Sequence, residues 1–391
     1  MDILKIYLSS GSVPIIPQML NFAECAYDLN ILKIICWYRN EVTPFQLKDT
    51  NAYYIKQPYA VTPDFIAKLI NVIQRTQPKI VEVHSNIVFT NVELYPVIAA
   101  ISKLLKKEQI KIHLYDDGIR SIGERLKLSE IRSTLFPEVS AVHIKYLQTI
   151  LQNEINPFSG YLRESWPLLM NYLWHHFFDV TYHLMVQHEQ KWKLLFTSSF
   201  HKSIQKNTTA LTTANIKTIS PKQLAFCLSL LNLTNSSINE IKKEIKHENS
   251  LLYMGSGYYN RQKDDIITEK QVLKIHKMRT AGIIKPDDRI IFKAHPINHP
   301  ENRAKILSAF SSDNIYTLPN NIPFEILPVI DLAPPAIICN FSTLLFTMKS
   351  EIFRHVIGDA DTTTESLKNP ILNELIKSRV IKQGLIGGWL D

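Results

Sequence analysis

The chain has 391 residues, of which 45% are hydrophobic and 20% charged. This composition is typical of a soluble globular protein and excludes a disordered or fibrous one, and the length suggests two domains. The 44 Lys and Arg residues against 36 Asp and Glu residues give a net charge of +8, which favours anionic partners such as nucleotides, phosphorylated glycans or acidic lipid surfaces.

Short β-branched segments alternate with helical patterns over the first 115 residues. Strand patterns cover residues 3–8, 31–37, 80–84 and 110–115, and helical patterns cover residues 14–27, 62–74 and 92–107. Strand, helix and strand at this spacing predict a parallel sheet with helices on its faces. Aromatic and leucine-rich segments then dominate residues 129–245, so we expect this middle third to be mostly helical.

The alternation returns after residue 250. Strand patterns cover residues 250–254, 289–293, 314–318 and 336–339, with helical patterns at 269–281, 302–310 and from 342. Two α/β units joined by a helical segment predict two facing Rossmann-like domains with a substrate cleft between them. We place the domains at residues 1–185 and 186–375, and expect a tail over residues 376–391 to pack back on the first.

The cysteines and the first residues indicate the compartment. The cysteines lie far apart among apolar neighbours and show no CxxC spacing, which suits buried thiols in a reducing compartment: Cys25, Cys36, Cys227 and Cys339. The first residues enter a strand pattern directly and lack the features of a secretory signal. No apolar run reaches the ~18–20 residues of a membrane span. We therefore expect a cytoplasmic protein.

Two adjacent carboxylates, Asp116 and Asp117, follow the strand pattern over 110–115 and precede Gly118. Open α/β sheets bind ligands at the carboxyl ends of their strands. Successive side chains point to opposite faces, so one aspartate can point into a cleft while the other braces the turn, where glycine permits a positive φ. The alternative interpretation is an ordinary Asp-Gly turn at the end of a strand.

A second group, Lys293-Ala-His295-Pro296, follows the apolar strand pattern over 289–293. Lys293 and His295 are two residues apart and share one face at the carboxyl edge, where Pro296 ends the strand. A cation beside an imidazole suits a phosphate, because lysine neutralises its charge and histidine can donate a proton near neutral pH. The alternative is a half-exposed histidine without a function.

Weaker signals lie at two other strand ends of the second half. Ser342 and Thr343 follow the strand pattern over 336–339, where backbone N–H groups of a helix could bind an anion, although a plain helix cap is the commoner explanation. Gly255 begins a Gly-Ser-Gly segment that would let a nucleotide approach the backbone, but a lone Gly-x-Gly is weak evidence. Metal-binding motifs are missing from the sequence, so no metal and no cofactor are expected.

In this order, the groups resemble the signatures of the bacterial sialyltransferases of glycosyltransferase family 80, the Pasteurella and Photobacterium type. The acidic pair followed by glycine matches Asp116 to Gly118, and Lys-Gly-His-Pro matches residues 293–296, with alanine in place of glycine. The paired hydroxyl residues match Ser342 and Thr343. Residues 320–325, Asn-Asn-Ile-Pro-Phe-Glu, are similar to a family segment that carries a glutamate, here Glu325.

The resemblance implies an α/β GT-B fold with a deep interdomain cleft, and transfer of sialic acid from CMP-sialic acid with inversion of the anomeric centre. It implies that Asp117 is the base that takes the proton of the acceptor hydroxyl and that His295 assists the departing CMP phosphate. It places the ribose of the cytidine at Glu325 and its cytosine near Gly255. The donor-binding residues implied are Lys293, Pro296, Glu325, Ser342, Thr343, Gly255 and Gly118.

On the acceptor side the resemblance implies Asp116, Tyr259 and His84. Tyr259 stands where the family has a tryptophan, and His84 could replace a family histidine whose aligned position is Phe89 here. The implied acceptor is a terminal sugar, galactose by family analogy, of a surface glycan or lipooligosaccharide. The positive net charge would support a peripheral contact with an anionic membrane.

Three alternatives remain at this point. A transferase for CMP-Kdo or another nonulosonate would use the same carboxylate and histidine. A non-catalytic protein that binds a glycan or nucleotide could keep the fold without turnover. Nucleic-acid binding is disfavoured, because the basic residues are scattered and form no dense stripe with interleaved aromatics.

Overall fold

The structure, a computed structural model, describes residues 2–11, 13–152, 156–185, 192–211, 220–310, 314–319, 322–327 and 330–391. It divides into two compact units, Met1–Asn232 and Leu233–Asp391. Each unit is built on a parallel sheet of its own, with helices between the strands. Among the described residues no helix combines the length and the apolar character needed to cross a membrane.

The first unit contains a seven-stranded sheet in the order β3-β2-β1-β4-β5-β6-β7, and all of its pairings are parallel. The order reverses between β1 and β4, which is the topological switch point of a Rossmann-like sheet. The strands are β1 Ile3–Ser9, β2 Ile31–Trp37, β3 Ala52–Tyr54, β4 Ile80–Asn86, β5 Ile110–Tyr115, β6 Asp179–Leu184 and β7 Thr208–Ala210.

Helices cover this sheet and bury its apolar side chains. The second helix shows why they form where they do: Thr62 accepts a hydrogen bond from the N–H of Phe65, Pro63 occupies the first turn, and Gln77 ends the helix in the left-handed conformation. The helices are α1 Ile15–Cys25, α2 Pro63–Thr76, α3 Tyr95–Ile101, α4 Ile119–Ser129, α5 Phe136–Gln152, α6 Gly160–Glu164, α7 Lys193–Thr197, α8 Ser199–Ile204 and α9 Pro221–Leu230.

The second unit contains a six-stranded parallel sheet in the order β10-β9-β8-β11-β12-β13, which repeats the same reversal of strand order. Its strands are β8 Ser250–Met254, β9 Arg289–Lys293, β10 Ile315–Thr317, β11 Ala336–Asn340, β12 Phe353–Ile357 and β13 Ile386–Gly387. Its helices are α10 Asn235–Ile245, α11 Arg261–Thr280, α12 Pro300–Ala309, α13 Leu344–Thr347, α14 Thr363–Ser366 and α15 Pro370–Lys377.

The division between the units differs from the boundary expected after residue 185. Strand β6 begins at Asp179 and extends the first sheet, and β7 pairs with β6 beyond the expected boundary. Helix α9 then packs on α1, where the rings of Phe226 and Phe22 are 5.3 Å apart. The chain therefore stays with the first unit as far as Asn232.

Two other expectations also differ from the structure. Residues 168–172 and 174–176 of the aromatic middle segment form short 3₁₀ turns rather than a long helix. The described tail, expected to pack on the first domain, belongs to the second unit: β13 pairs with β12, and the buried Trp389 donates its backbone N–H to the carbonyl of Ala360.

Candidate functional site

Asp117 lies at the carboxyl edge of the first sheet, directly after β5. Gly118 follows with φ of 67° and ψ of −134°, a conformation that only glycine adopts without strain, and this turn leads into α4. Asn86, at the end of the neighbouring β4, donates a hydrogen bond from Nδ2 to Asp117 Oδ2 over 3.0 Å. The backbone N–H of Asp117 donates to Ser121 Oγ over 3.0 Å. The carboxylate is thus fixed from two strand ends while its side chain stays partly exposed.

Gly11, in the loop after β1, lies against the same carboxylate. A Cβ at this position would be 2.7 Å from Asp117 Oδ1 and 2.7 Å from Asn86 Nδ2, which is closer than such atoms approach. Only a residue without a side chain lets the loop come this close. The switch point of the first sheet therefore brings three strand ends, those of β1, β4 and β5, to one carboxylate.

The surroundings of Asp117 leave its carboxyl group ready to exchange a proton near neutral pH. Burial raises the pKa of Asp117 to about 6, and the nearby negative charge of Asp116 raises it further. The hydrogen bond from Asn86 and the positive charges of Arg120 and Arg39 oppose this increase. A carboxylate with a pKa close to the working pH is suited to general base catalysis.

Asp116 is buried and makes its contacts within the protein, which corrects the expectation that it contacts the acceptor. It is fully buried, and its Oδ2 lies 2.9 Å from Nη2 of the equally buried Arg125. The backbone N–H of Met185 donates to the same oxygen over 2.7 Å. One aspartate of the pair therefore braces the turn and the other remains partly accessible, as the alternation along a strand predicts.

His84 is also buried, so the expectation that it contacts the acceptor is wrong for this conformation. Its ring has no exposed surface, and its Nδ1 lies 2.8 Å from the hydroxyl of Tyr115. Phe89 is partly exposed, and the guanidinium carbon of Arg120 lies 5.0 Å from the centre of its ring. Phe89 and Arg120 are thus the more accessible of these side chains near the end of β4 and the start of α4.

Glu93, which was not expected from the sequence, holds the loop that carries Gly11. Its buried carboxylate accepts a hydrogen bond from the N–H of Ser10 over 2.8 Å and one from Ser85 Oγ over 3.3 Å. Burial raises the pKa of Glu93 to about 7, while the hydrogen bonds from Ser10 oppose the increase. No motif marks this residue, because its role depends on contacts between segments more than 80 residues apart.

In the second unit, Lys293 ends β9 with its side chain almost fully buried. Its Nζ donates to the carbonyl of Pro319 over 2.8 Å. Burial lowers the pKa of Lys293 to about 8, while the nearby carboxylate of Glu325 raises it and Arg303 lowers it. Burial also raises the pKa of Glu325. The two side chains expected to bind the donor, Lys293 and Glu325, are thus close enough for their charges to interact. With a pKa of about 8, Lys293 is still mostly charged at pH 7.

His295 and Pro296 lie in the turn after β9, where His295 is partly exposed and Pro296 exposed. The carbonyl of His295 accepts a hydrogen bond from the N–H of Asn298 over 3.0 Å. The residue that fixes this turn, the buried Asp264 of α11, was not expected from the sequence. Its carboxylate accepts hydrogen bonds from Asn298 Nδ2 at 3.0 Å and from the N–H of Tyr258 at 3.0 Å. It therefore ties the turn after β9 to the loop after β8.

Gly255 follows β8 beside the end of β9, since its N–H donates to the carbonyl of Lys293 over 2.9 Å. A Cβ at Gly255 would meet the ring of Phe292 at 3.2 Å, so the loop lies close to its neighbouring strand. Tyr259, further along the same loop, is 61% exposed and available to a ligand. The expected contact of Gly255 with a nucleotide base stays a prediction.

Ser342 and Thr343 lie directly after β11, at the same carboxyl edge. Among the described residues Ser342 Oγ is buried without a hydrogen-bond partner of standard geometry, and it lies close to the weakly polar thiol of Cys339. Neither hydroxyl caps the following helix α13, which is only four residues long. The plain helix-cap explanation therefore does not account for this pair. Asn320 and Asn321, of the segment that carries Glu325, lie outside the described residues.

The comparisons with known proteins agree with this architecture. The structure of a 2,6-sialyltransferase from Photobacterium sp. JT-ISH-224, in a complex with CMP and lactose, matches with a TM-score of 0.82 and 16% identity, over 100% of this chain and 79% of that one. An α/β-galactoside α-2,3-sialyltransferase from Photobacterium phosphoreum matches with a TM-score of 0.78 and 19% identity, over 99% of each chain.

The GT-B domain of a Photobacterium damselae sialyltransferase matches with a TM-score of 0.79 and 16% identity, again over 99% of each chain. At these identities the similarity establishes the fold, which is the GT-B fold expected from the sequence. No curated protein sequence matches the chain. The family model "Sialyltransferase PMO188" matches residues 4–385, which is nearly the whole chain. The chain therefore belongs to this sialyltransferase family and is a glycosyltransferase.

Proposed function

We propose that the protein transfers sialic acid from CMP-sialic acid to a terminal sugar, with inversion at the anomeric carbon. Asp117 is the base and His295 the acid in this proposal. The observation that carries it is the contrast within the acidic pair: Asp116 is fully buried and forms an ion pair with Arg125 through Oδ2, whereas Asp117 is partly exposed with a pKa of about 6. Family membership and the CMP and lactose in the Photobacterium sp. structure support the donor and acceptor classes.

In this mechanism Asp117 accepts the proton of the acceptor hydroxyl as that oxygen attacks the anomeric carbon. The bond from that carbon to the CMP phosphate oxygen breaks, and an oxocarbenium-like transition state separates the two. His295 donates a proton or hydrogen bond to the departing phosphate, and the positive charge of Lys293 stabilises it. Such a mechanism requires neither a metal nor an organic cofactor.

The other donor contacts follow from the same strand ends. The Ser342 hydroxyl, which is buried and has no hydrogen-bond partner among the described residues, and Thr343 would donate to the phosphate. Glu325 would hold the ribose, and Gly255 would lie against the cytosine. The exposed ring of Tyr259 would stack on the acceptor sugar, for which galactose is the family-based choice. Gly118 allows the turn that carries the proposed base, Asp117, and Pro296 fixes the turn after His295.

The decisive experiment measures transfer from CMP-Neu5Ac to lactose by the full chain and by single variants. We expect Asp117→Asn to lower kcat by about 10²–10⁴-fold, because it removes the base without changing the size of the side chain. His295→Gln should also lower kcat. The matched controls Asp179→Asn and His276→Gln change exposed residues and should retain the wild-type rate. Wild-type activity in Asp117→Asn would contradict the proposed base.

The same assay separates the alternatives. Faster turnover of CMP-Kdo than of CMP-Neu5Ac would identify a transferase for another nonulosonate on the same fold. Binding of CMP without turnover of either donor would indicate a non-catalytic binding protein. The acceptor class, a surface glycan or lipooligosaccharide, would follow from the acceptor that gives the highest kcat/KM.

We also propose peripheral contact with an anionic membrane, supported by the net charge of +8. Sedimentation with phosphatidylglycerol vesicles should recover more protein than sedimentation with neutral vesicles, and added salt should reduce the difference. Equal recovery with both vesicle types would exclude an electrostatic membrane contact.

A further inference from the structure

A layer of aromatic and imidazole rings covers part of one face of the first sheet. We call it the ring layer: Tyr7 of β1, His84 of β4, His113 and Tyr115 of β5, and His183 of β6. The ring of His84 stacks on that of Tyr7 and on that of His113, with centroid distances of 4.5 Å in both pairs. Tyr115 and His183 stack at the same distance. Neighbouring parallel strands in register produce this arrangement.

Hydrogen bonds within the ring layer occupy one nitrogen of each of its three histidines. His84 Nδ1 lies 2.8 Å from the hydroxyl of Tyr115, and His113 Nδ1 lies 3.1 Å from His183 Nε2. If each Nδ1 carries the proton and donates it, each Nε2 keeps a free lone pair. His84 Nε2 is fully buried and has no hydrogen-bond partner in the described structure, which is costly for a polar atom without a ligand.

A carboxylate faces this nitrogen. Glu82 lies two residues before His84 on β4 and therefore on the same face, with its Oε2 4.0 Å from His84 Nε2. One ligand atom each from Glu82, His84 and His113 can be chosen so that all three lie within 4.8 Å of one another. Strands β4 and β5 thus place one oxygen and two nitrogen ligand atoms close together.

We propose that Glu82, His84 and His113 form a binding site for a divalent transition-metal ion of the zinc class, with water in a fourth position. Imidazole and carboxylate donors suit Zn²⁺, whose bonds of about 2.0–2.2 Å would draw the three atoms to roughly 3.4 Å apart. Tyr115 and His183 would be outer partners that hold the imidazoles in the metal-binding tautomer. The ion would tie β4 to β5.

Lys5 is the competitor of such an ion. Its Nζ lies 3.1 Å from Glu82 Oε2 and 3.2 Å from Asn21 Oδ1. Its ammonium group neutralises the carboxylate and would repel an entering cation. Because Lys5 has Asn21 as a second partner, it can release Glu82 without losing both contacts. The side chains of Lys5 and Glu82 are 13% and 14% exposed, so solvent reaches the site from this side.

The test uses the full chain after treatment with EDTA and does not depend on transferase activity. Titration with Co²⁺, followed by visible absorption, should show one saturable site per chain from which Zn²⁺ displaces the cobalt. Zn²⁺ should also raise the unfolding temperature by mass action, whereas Mg²⁺ should leave it unchanged. Failure to bind Co²⁺ or Zn²⁺ in a 1:1 ratio would overturn the proposal.

Variants then locate the site. His113→Gln should weaken Co²⁺ binding by at least about tenfold, and the exposed control His276→Gln should leave it unchanged. Lys5→Met should strengthen binding, because it removes the competing charge. If His113→Gln does not fold, Glu82→Gln tests the same site at a partly exposed side chain. Equal Co²⁺ affinity in the wild type and the folded ligand variant would show that the ion binds elsewhere, and would overturn the assignment.

Discussion

The carboxylate of Asp117 lies among groups that shift its pKa in opposite directions. Burial and the charge of Asp116 raise the pKa, whereas Asn86, Arg120 and Arg39 lower it, and the balance is a value of about 6. The proposed base must be ionised to accept a proton, so we expect the rate of transfer to increase with pH through this value.

Replacing Asn86 should therefore move the pH profile. Asn86→Ala removes a hydrogen bond to the ionised carboxylate, which raises the pKa of Asp117 and shifts the acidic limb of kcat/KM to higher pH. The measurement is kcat/KM for lactose between pH 5 and about 9. The exposed control Asn30→Ala should keep the wild-type limb. A limb that moves to lower pH would show that this hydrogen bond does not stabilise the ionised form.

The sequence indicates some of these residues and hides others. Asp117, Lys293 and His295 are visible because each ends or follows an apolar strand pattern, and the parallel strands of one sheet have their carboxyl ends at one edge of that sheet. Glu93 and Asp264 are invisible in the same reading, because each lies within a helical segment and acts through contacts with distant loops. The acceptor contact expected of His84 is wrong, because strand alternation predicts the face of the sheet on which a side chain lies but not whether that side chain is buried.

At the scale of elements, the turn between β5 and α4 depends on one glycine. Gly118→Ala places a side chain at φ of 67° and ψ of −134°, so we expect a loss of about 1–3 kcal/mol in the free energy of unfolding. Urea unfolding measures it. Gly160→Ala is the matched control, because in the part of the chain that the structure describes its added Cβ meets no atom within 4 Å outside its chain neighbours and its own helix backbone, and no positive φ is involved. Equal stabilities of the two variants would mean that the turn relaxes without cost.

The loop after β1 should affect the rate more than the stability. Gly11→Ala brings a methyl group against Asp117 Oδ1 and Asn86 Nδ2, so one of the three strand ends must move. We expect a kcat at least about tenfold lower, because displacement of the proposed base by about 1 Å would already be costly. The measurement compares kcat with the unfolding midpoint. Wild-type kcat in Gly11→Ala would show that the loop yields without disturbing the carboxylate.

Element prediction succeeded where the hydrophobic pattern was strong. The strand patterns at residues 31–37, 250–254 and 289–293 coincide with β2, β8 and β9, whose buried residues are mostly apolar. Strand β6 was missed because its sequence, Asp-Val-Thr-Tyr-His-Leu, follows an aromatic segment that we interpreted as helical. The missed strand moved the domain boundary, since β6 and β7 complete the first sheet.

At the scale of the whole molecule, buried histidines make stability depend on pH. Burial lowers the pKa of His355 in the second unit to about 4 and that of His175 in the first unit to about 4. Unfolding returns the pKa of each histidine toward about 6.5. Between these two values the unfolded chain therefore binds more protons than the folded chain. The contribution of these two histidines to stability is therefore complete above about pH 6.5 and is lost as the pH falls toward 4.

His355→Gln should reduce this acid sensitivity. The side chain is 8% exposed, and its shift corresponds to roughly 2–4 kcal/mol between pH 6.5 and 4. The measurement is the slope of the unfolding free energy against pH, which a uniform loss of packing leaves unchanged. The exposed control His276→Gln should keep the wild-type slope. A slope in His355→Gln equal to that of the wild type would exclude His355 as a source of the acid sensitivity.

The order of the strands along the chain has a consequence for biosynthesis. The seven strands of the first sheet all precede residue 233, and the six strands of the second sheet all follow it. The ribosome therefore delivers every strand of one sheet before the first strand of the other. Since domains generally fold as units, the amino-terminal half can mature on the translating ribosome, with little opportunity for its edges to pair with strands that have not yet been made.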